Sequence, residues 1–445
     1  MNIFRKFNGP QIIAGGFLMI ILFGAFLLSL PISSQKGEFT NYFDCVFTAT
    51  SALCVTGLVV FDTGTYWSSF GKFVIMILIQ IGGVGFMSLA TLPLIFAGKK
   101  LSFSQRLIVK DSLGIGVVNG VVKYLKKILE LVFLIEIIGA ALLSIAFVPH
   151  FGLKKGVLYG IFHSVSAFCN AGFDLMGGFS SLTGYASSII VNITIMLLII
   201  LGGLGFVTLT DIIRFKGFRK FKRFSLQSKV VFLVTFFLIT VPAILFYILE
   251  RGNALSGMSL KDSVLMSLFQ VVSPRTAGFN TIDLAEMKDA TAFLTIILMF
   301  IGGSPGSTAG GFKTTTTFVI VVSAFSMIKN KEKVEAFGRT ISYDIVNKAL
   351  ILLCMSFFLI ITGTMIISAT NTQFSFLQVL YEVVSAYATV GLTLGITGQL
   401  NGIAKLVIII MMFFGRVGSL TVLYSFIKPV SKALYEYPKE DIEVG

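Results

Sequence analysis

The chain has 445 residues, of which 55% are hydrophobic and only 13% charged, and its mean hydropathy is +0.92. A soluble globular domain carries about 25% charged residues, so this composition excludes one. The net charge of +14 does not indicate nucleic acid either, because the basic residues are scattered over many short segments and form no basic domain.

Apolar stretches of the length a bilayer demands, roughly 20 residues, begin at once. Residues 12–30 form the first and contain no charge. This stretch follows Arg5 and Lys6 but ends without a small-x-small cleavage pattern, so it reads as a retained helix and not as a signal peptide. The following stretches are residues 73–97, 128–148, 189–210, 230–249, 293–301, 349–369 and 406–414, the sixth and eighth continuing through glycine-rich sequence. Between them lie apolar segments too short to cross a membrane: residues 42–51, 158–166, 263–271 and 376–385. Segments of that length read as re-entrant half-helices. Numbered from an inside N-terminus, 24 basic residues fall in cytoplasmic segments and 8 in external ones. That asymmetry puts both termini in the cytoplasm, and the cytoplasmic basic runs face the anionic headgroups of the lipid bilayer. Arg275, Lys313 and Arg416 fall inside membrane segments. Cys45, Cys54, Cys169 and Cys354 form no C-x-x-C pair and do not cluster with His150 or His163, which gives no metal or redox pattern.

Two short motifs recur four times. The first is Val55-Thr56-Gly57, Asn170-Ala171-Gly172, Thr276-Ala277-Gly278 and Thr389-Val390-Gly391, each followed by Leu or Phe. The second is Gly82-Gly83, Gly202-Gly203, Gly302-Gly303 and Gly415-Arg416. Successive glycines of the first motif are 115, 106 and 113 residues apart, and the second motif follows after 25, 30, 24 and 24 residues. Two linked motifs in register define an internal repeat. The expected fold is an all-α polytopic membrane protein of four helix–pore loop–helix repeats with pseudo-fourfold symmetry. Eight transmembrane helices and four re-entrant pore helices would surround one central pore. The repeats are placed at residues 1–98, 99–220, 221–330 and 331–427, with an intramembrane loop at 302–311 and a cytoplasmic tail at 428–445.

Non-helical backbone at membrane depth survives only where it lines a cavity or is buried in protein, so four such loops should converge on the axis. Glycine frees the backbone angles there and lets carbonyls replace the hydration shell of an ion. The C-terminus of each half-helix adds roughly half a negative elementary charge. Both features favour a cation.

The third repeat interrupts its second helix with Gly302, Gly303, Ser304, Pro305, Gly306, Ser307, Thr308, Ala309, Gly310 and Gly311. Gly costs about 1 and Pro about 3 kcal/mol in a helix, so the segment is either a packing kink of small residues or a flexible loop lining the pathway, a break expected in this repeat alone. Arg416 stands where the other repeats have Gly83, Gly203 and Gly303. A mid-membrane charge faces a cavity or a partner, and the acidic candidates are Glu382 and Asp211. Arg275 is expected to bond loop carbonyls or Glu382, or to make an ordinary structural pair. Asp44, Asp62, Asp174 and Asp283 could concentrate cations at the mouth.

The fourfold arrangement of Thr56-Gly57, Ala171-Gly172, Thr276-Ala277-Gly278 and Thr389-Val390-Gly391 resembles the pore loops of the Trk/Ktr/HKT superfamily of potassium transporters, and over nearly the whole chain it looks most like the Ktr branch. The resemblance implies a single-glycine carbonyl filter for transported K+, with Na+ as a second candidate, formed by the twelve residues of the first motif. Glycine at all four positions goes with potassium in that superfamily. It further implies a gate in the loop 302–311, a positive barrier at Arg416 and a multi-pass location in the bacterial plasma membrane. The implied partners are a second copy of the chain in a homodimer and a cytoplasmic ring of nucleotide-binding Ktr/Trk-type regulatory subunits. Any nucleotide would bind there, and this chain is expected to carry no cofactor. No hydrolase or zinc motif is present, so an enzyme is not expected. The alternative is a proton-coupled carrier for a small solute, for which Glu130 and Glu136 are the carboxylate candidates.

Overall fold

The computed structural model describes residues 8–85, 106, 120–215, 221–426, 438 and 440. The end of the expected 73–97 span, most of the basic segment 99–127, residues 216–220 of the basic segment 214–229, and nearly all of the tail 428–445 lie outside the described residues.

The helices in chain order are α1 (Gly9–Ser29), α2 (Tyr42–Leu53), α3 (Ser69–Val84), α4 (Val121–Phe168), α5 (Ile189–Gly203), α6 (Phe206–Arg214), α7 (Leu226–Glu250), α8 (Leu260–Val272), α9 (Asp289–Phe300), α10 (Thr314–Ile328), α11 (Tyr343–Thr370), α12 (Phe376–Ala388), α13 (Gly402–Val417) and α14 (Ser419–Phe426). A short antiparallel hairpin, β1 (Val334–Ala336) with β2 (Arg339–Ile341), joins α10 to α11. Four of these helices, α1, α4, α7 and α11, are long and apolar enough to cross a bilayer unaided. Their outward faces carry large apolar side chains such as Phe23, Ile137, Phe236 and Phe358, as lipid contact requires.

The short apolar segments are helices that stop inside the protein. In α2, α8 and α12 the start is fixed by Asn41, Ser259 and Ser375, whose side chains accept backbone N–H groups of the first turn. The second repeat reaches the same result differently: α4 is broken at Gly152 (φ 77°), three residues after Pro149, and residues 153–168 form its re-entrant arm.

Packing between repeats is cyclic. The helix that follows each re-entrant helix packs on the re-entrant helix of the next repeat: α3 on α4, α5 on α8, α9 on α12, and α13 back on α2. Within a repeat, the second motif makes that helix fit. A Cβ at Gly82 would strike the carbonyl of Leu53, one at Gly202 that of Phe168, and one at Gly415 that of Tyr387. Each of these carbonyls ends a re-entrant helix four residues before the motif glycine.

The expected second spans are not straight. α3 ends at Gly85 (φ 92°), α5 and α6 meet at 100° around Gly205 (φ 90°), and α13 and α14 meet at 97° around Gly418 (φ 94°). A helix break is therefore not peculiar to the third repeat, contrary to the sequence expectation. Hydropathy runs through these glycines unchanged, whereas their positive φ ends the helix. What distinguishes repeat 3 is length, because a whole segment from Ile301 to Lys313 separates α9 from α10 where repeats 2 and 4 turn sharply around Gly205 and Gly418.

Where the ring closes between its last and first repeats, Lys405 of α13 bonds Asp44 in the first turn of α2 at 2.7 Å, with side chains only 14% and 18% exposed. Asp44 is thus a fastening, not a mouth residue. Lys405→Met or Asp44→Asn alone should lower the melting temperature in detergent, at a cost between the about 1 kcal/mol of an exposed pair and the about 3–5 kcal/mol of a buried one. The double substitution should recover most of that loss, since no charge is then left unpaired.

Candidate functional site

Each re-entrant helix runs out into a strand with one conformational signature. Val55 (φ 50°), Asn170 (φ 57°), Thr276 (φ 71°) and Thr389 (φ 54°) are left-handed although they carry side chains, and two residues later Gly57 (φ 94°), Gly172 (φ 69°), Gly278 (φ 80°) and Gly391 (φ 92°) are left-handed again. Non-glycine residues adopt such angles rarely and at a cost. Four recurrences at equivalent positions mark a geometry that the surroundings impose.

The glycines are required by their neighbours. A Cβ on Gly57 would lie 2.6 Å from the Ala171 carbonyl oxygen and one on Gly172 2.6 Å from that of Ala277, while Gly278 faces the Val390 oxygen and Gly391 the Thr56 oxygen. Each glycine thus backs onto the carbonyl of the next repeat, and the order 1–2–3–4–1 closes. The ring is thus made by the four glycines and the carbonyls of Thr56, Ala171, Ala277 and Val390, and the four glycines line a cavity of about 410 Å³. The structure brings Asp174 and Asp283 to that cavity. Burial pushes the Asp174 carboxyl up to about 6, against the pull of the Met176 N–H that it accepts at 3.0 Å. Asp62 instead accepts N–H groups from Thr65 and Phe179 and ties the loops of repeats 1 and 2 together.

A set of serines, not singled out in the sequence reading, holds the strands. Ser51 and Ser385 accept the N–H of Gly57 and Gly391, both at 3.1 Å, while Ser166 donates to the Phe173 carbonyl at 2.7 Å and Ser273 to that of Phe279. Three lie six residues before their glycine and Ser273 five, where Ser273 is itself the residue that caps the end of α8. A fixed serine-to-glycine interval was the signal available in the sequence.

Beneath the ring lies the segment 302–311. Its Gly302 N–H returns to the Phe312 carbonyl at 2.8 Å, and its Ser304 and Thr308 N–H groups donate to Gly203 and Gly202 at 3.0 and 3.2 Å. Thr308 is the hub: its hydroxyl donates to Phe168 at 3.0 Å, and its carbonyl accepts from Arg416. A Cβ on Gly310 would strike the Thr389 side chain, and one on Gly302 would sit 3.1 Å from Thr276 Cγ2. The loop therefore passes directly under strands 3 and 4 while fastened to repeats 2 and 4.

Arg416 has neither of the acidic partners considered for it. Its guanidinium donates to the carbonyls of Thr308, Gly82 and Gly83, while Asp211 accepts from Ser225 and Ser228 and Glu382 from Thr393 and Thr397. Arg275 does not reach Glu382 either. It is buried and donates to Thr235 Oγ1 at 3.1 Å, with no bond from Nε or Nη1 among the described residues. Lys313 donates to the Ala309 and Gly310 carbonyls at 2.8 and 3.1 Å, adding a second cation to the loop. Glu136, considered for a proton relay, accepts from Gln80 at 3.2 Å.

A ring of carbonyls at membrane depth, carried by four inward-running half-helices and backed by a polar loop, defines a membrane pathway for cations. The chain belongs to the TrkH family of cation transport proteins, whose family model matches residues 18–436. This is a family of transporters, not of enzymes. The chain is 43% identical to the potassium/sodium uptake protein NtpJ of Enterococcus hirae, over 99% of this chain and 98% of that one. It is 40% identical to the Ktr system potassium uptake protein B of Bacillus subtilis, over 99% and 97%. The crystal structure of the potassium transporter TrkH from Vibrio parahaemolyticus shares the fold, with a TM-score of 0.74 at 21% identity over 94% of this chain and 85% of that one.

Gly172 and Gly178 are both left-handed, but only Gly172 backs onto another strand, since nothing lies within 4 Å of a Cβ at Gly178. Gly178→Ala should cost only the about 1–2 kcal/mol of the backbone angle. Gly172→Ala should cost clearly more, read as the larger drop in melting temperature of the purified chain in detergent.

Proposed function

We propose that the chain is the ion-translocating subunit of a potassium uptake system, passing K+ through a single-glycine carbonyl filter made by residues 55–57, 170–172, 276–278 and 389–391. The observation that carries this reading is the closed cycle in which every motif glycine backs onto the carbonyl of the next repeat. Carbonyl dipoles so arranged offer an ion what its hydration shell offered, and Asp174 and Asp283 raise the cation concentration above them. Na+ is the second ion to be considered, and the potassium/sodium uptake protein relative supports including it.

The segment 302–311 acts as a gate in this reading, and Arg416 acts both as its latch and as a positive barrier below the filter. Opening requires the Thr308 carbonyl and hydroxyl bonds to be given up together. The chain sits in the bacterial plasma membrane with both termini in the cytoplasm, a topology supported by the 24 to 8 distribution of basic residues. It works as a homodimer and receives its regulation from a cytoplasmic ring of nucleotide-binding subunits. The similarity to a Ktr system protein supports that arrangement.

The test is rubidium-86 uptake into proteoliposomes holding this chain, with potassium or sodium as competitor. Uptake should be blocked by potassium at lower concentration than by sodium, and Gly278→Ser should abolish it or erase the difference. Absence of uptake, with or without regulatory subunits, would count against the reading. For the gate, Thr308→Ala removes the hydroxyl bond to Phe168 and should raise resting uptake several-fold at equal membrane abundance, by the roughly 1 kcal/mol a hydrogen bond contributes. Deletion of residues 304–310 should raise it further. Unchanged or lower flux in correctly inserted protein would contradict a gate here.

A further inference from the structure

The serines hold each filter strand at its glycine or at the residue after it, and a second set of contacts holds the segment that follows. Nine residues before the motif glycine, the four re-entrant helices carry Thr48, His163, Phe269 and Glu382. In the fourth repeat the Glu382 carboxylate is fully buried. It accepts the Thr393 hydroxyl at 2.6 Å and the Thr397 hydroxyl at 2.5 Å. Both threonines line the outer cavity, and Thr393 is the second residue after Gly391. In the second repeat His163, also fully buried, places Nδ1 2.8 Å from the Tyr159 carbonyl of its own helix. Nδ1 therefore carries the proton, and Nε2 accepts the Leu175 N–H at 3.3 Å, three residues beyond Gly172. The imidazole also packs against Phe279, which follows Gly278 of the neighbouring strand.

The other repeats differ. Thr48 turns its hydroxyl back to the Asp44 carbonyl within α2, and Phe269 is apolar. In α8 the polar residue stands one position later, as its serine does: Gln270 lies 3.5 Å from Thr281 Oγ1, a long and weak contact. Strong outer fastenings therefore occupy opposite strands, 2 and 4.

We propose that Glu382 and His163 are positioning residues of the filter, fixing the outer ends of strands 4 and 2 and thereby setting how sharply the ring distinguishes K+ from Na+. This rests on the reading of the ring as a cation filter. Discrimination by a carbonyl ring depends on how far the oxygens can close around a smaller ion, so an exit released on one side lets the ring adapt to Na+. A carboxylate held by two hydroxyls, with both charge-assisted bonds buried, is the stiffer of the two supports.

The experiment is rubidium-86 uptake by the full chain in proteoliposomes, scored as the ratio of sodium to potassium concentrations that halve it. Glu382→Ala and His163→Phe should each lower that ratio about fivefold or more, the factor worth about one hydrogen bond, at equal membrane abundance. Glu382→Gln and His163→Gln should recover part of it, because an amide oxygen can still accept. Thr393→Val, which removes one of the two bonds to Glu382, should reproduce part of the Glu382→Ala loss, and the double variant should lose no more than Glu382→Ala alone, the non-additivity expected where one variant already lacks the other's bond. Thr393→Val also carries the test if the Glu382 variants fail to insert. A wild-type ratio in Glu382→Ala or Thr393→Val, or losses that add in full, would overturn the positioning role while leaving the filter intact. A wild-type chain that takes up no rubidium overturns both.

Discussion

Everything in this molecule follows from one constraint: backbone that leaves a helix inside a membrane must find partners for its own N–H and C=O groups. The four strands meet it in two directions. Their N–H groups turn back to the re-entrant helix they came from, as when Thr56, Ala171 and Val390 donate to the carbonyls of Ser51, Ser166 and Ser385, each at 2.8 Å. Their carbonyls are left facing the glycine of the preceding repeat. Donors satisfied within a repeat and carbonyls set against the neighbouring repeat are what the proposed cation filter is built from.

The same constraint explains the loop and the cations beneath it. Residues 302–311 cannot be helical, so their polar groups are shared with repeats 2 and 4 and with the side chains of Arg416 and Lys313. Buried arginine is costly in a membrane, and here its cost is offset by several backbone carbonyls in place of one carboxylate. Of the carbonyls that hold Arg416, that of Thr308 belongs to the loop and those of Gly82 and Gly83 to α3, so one side chain ties the loop of repeat 3 to repeats 1 and 4. Asymmetry in one repeat gives the fourfold ring the segment proposed here as its gate.

Much of this was legible in the sequence, and the limits have physical causes. The glycine motifs recur at near-constant spacing because a ring fixes them, so their convergence could be read from intervals alone. The reason for the second motif could not, since it depends on Gly82, Gly202 and Gly415 meeting carbonyls that end a different helix. The bends at Gly205 and Gly418 escaped because apolar sequence continues across them. The partners of Arg416 were sought among Glu382 and Asp211 because sequence displays side chains and hides backbone acceptors. Glu382 bonds threonines that lie beyond the end of α12, so the pairing runs from a helix to the loop after it and no helix face in the sequence displays it.

The central claim is that the four carbonyls of Thr56, Ala171, Ala277 and Val390 enclose an ion. Diffraction at the rubidium absorption edge, from crystals of the chain grown in rubidium chloride, tests it most directly. An anomalous peak on the axis inside that ring is the result this account predicts. Rubidium bound only near Asp174 and Asp283 in the outer cavity, with the ring empty, would contradict it.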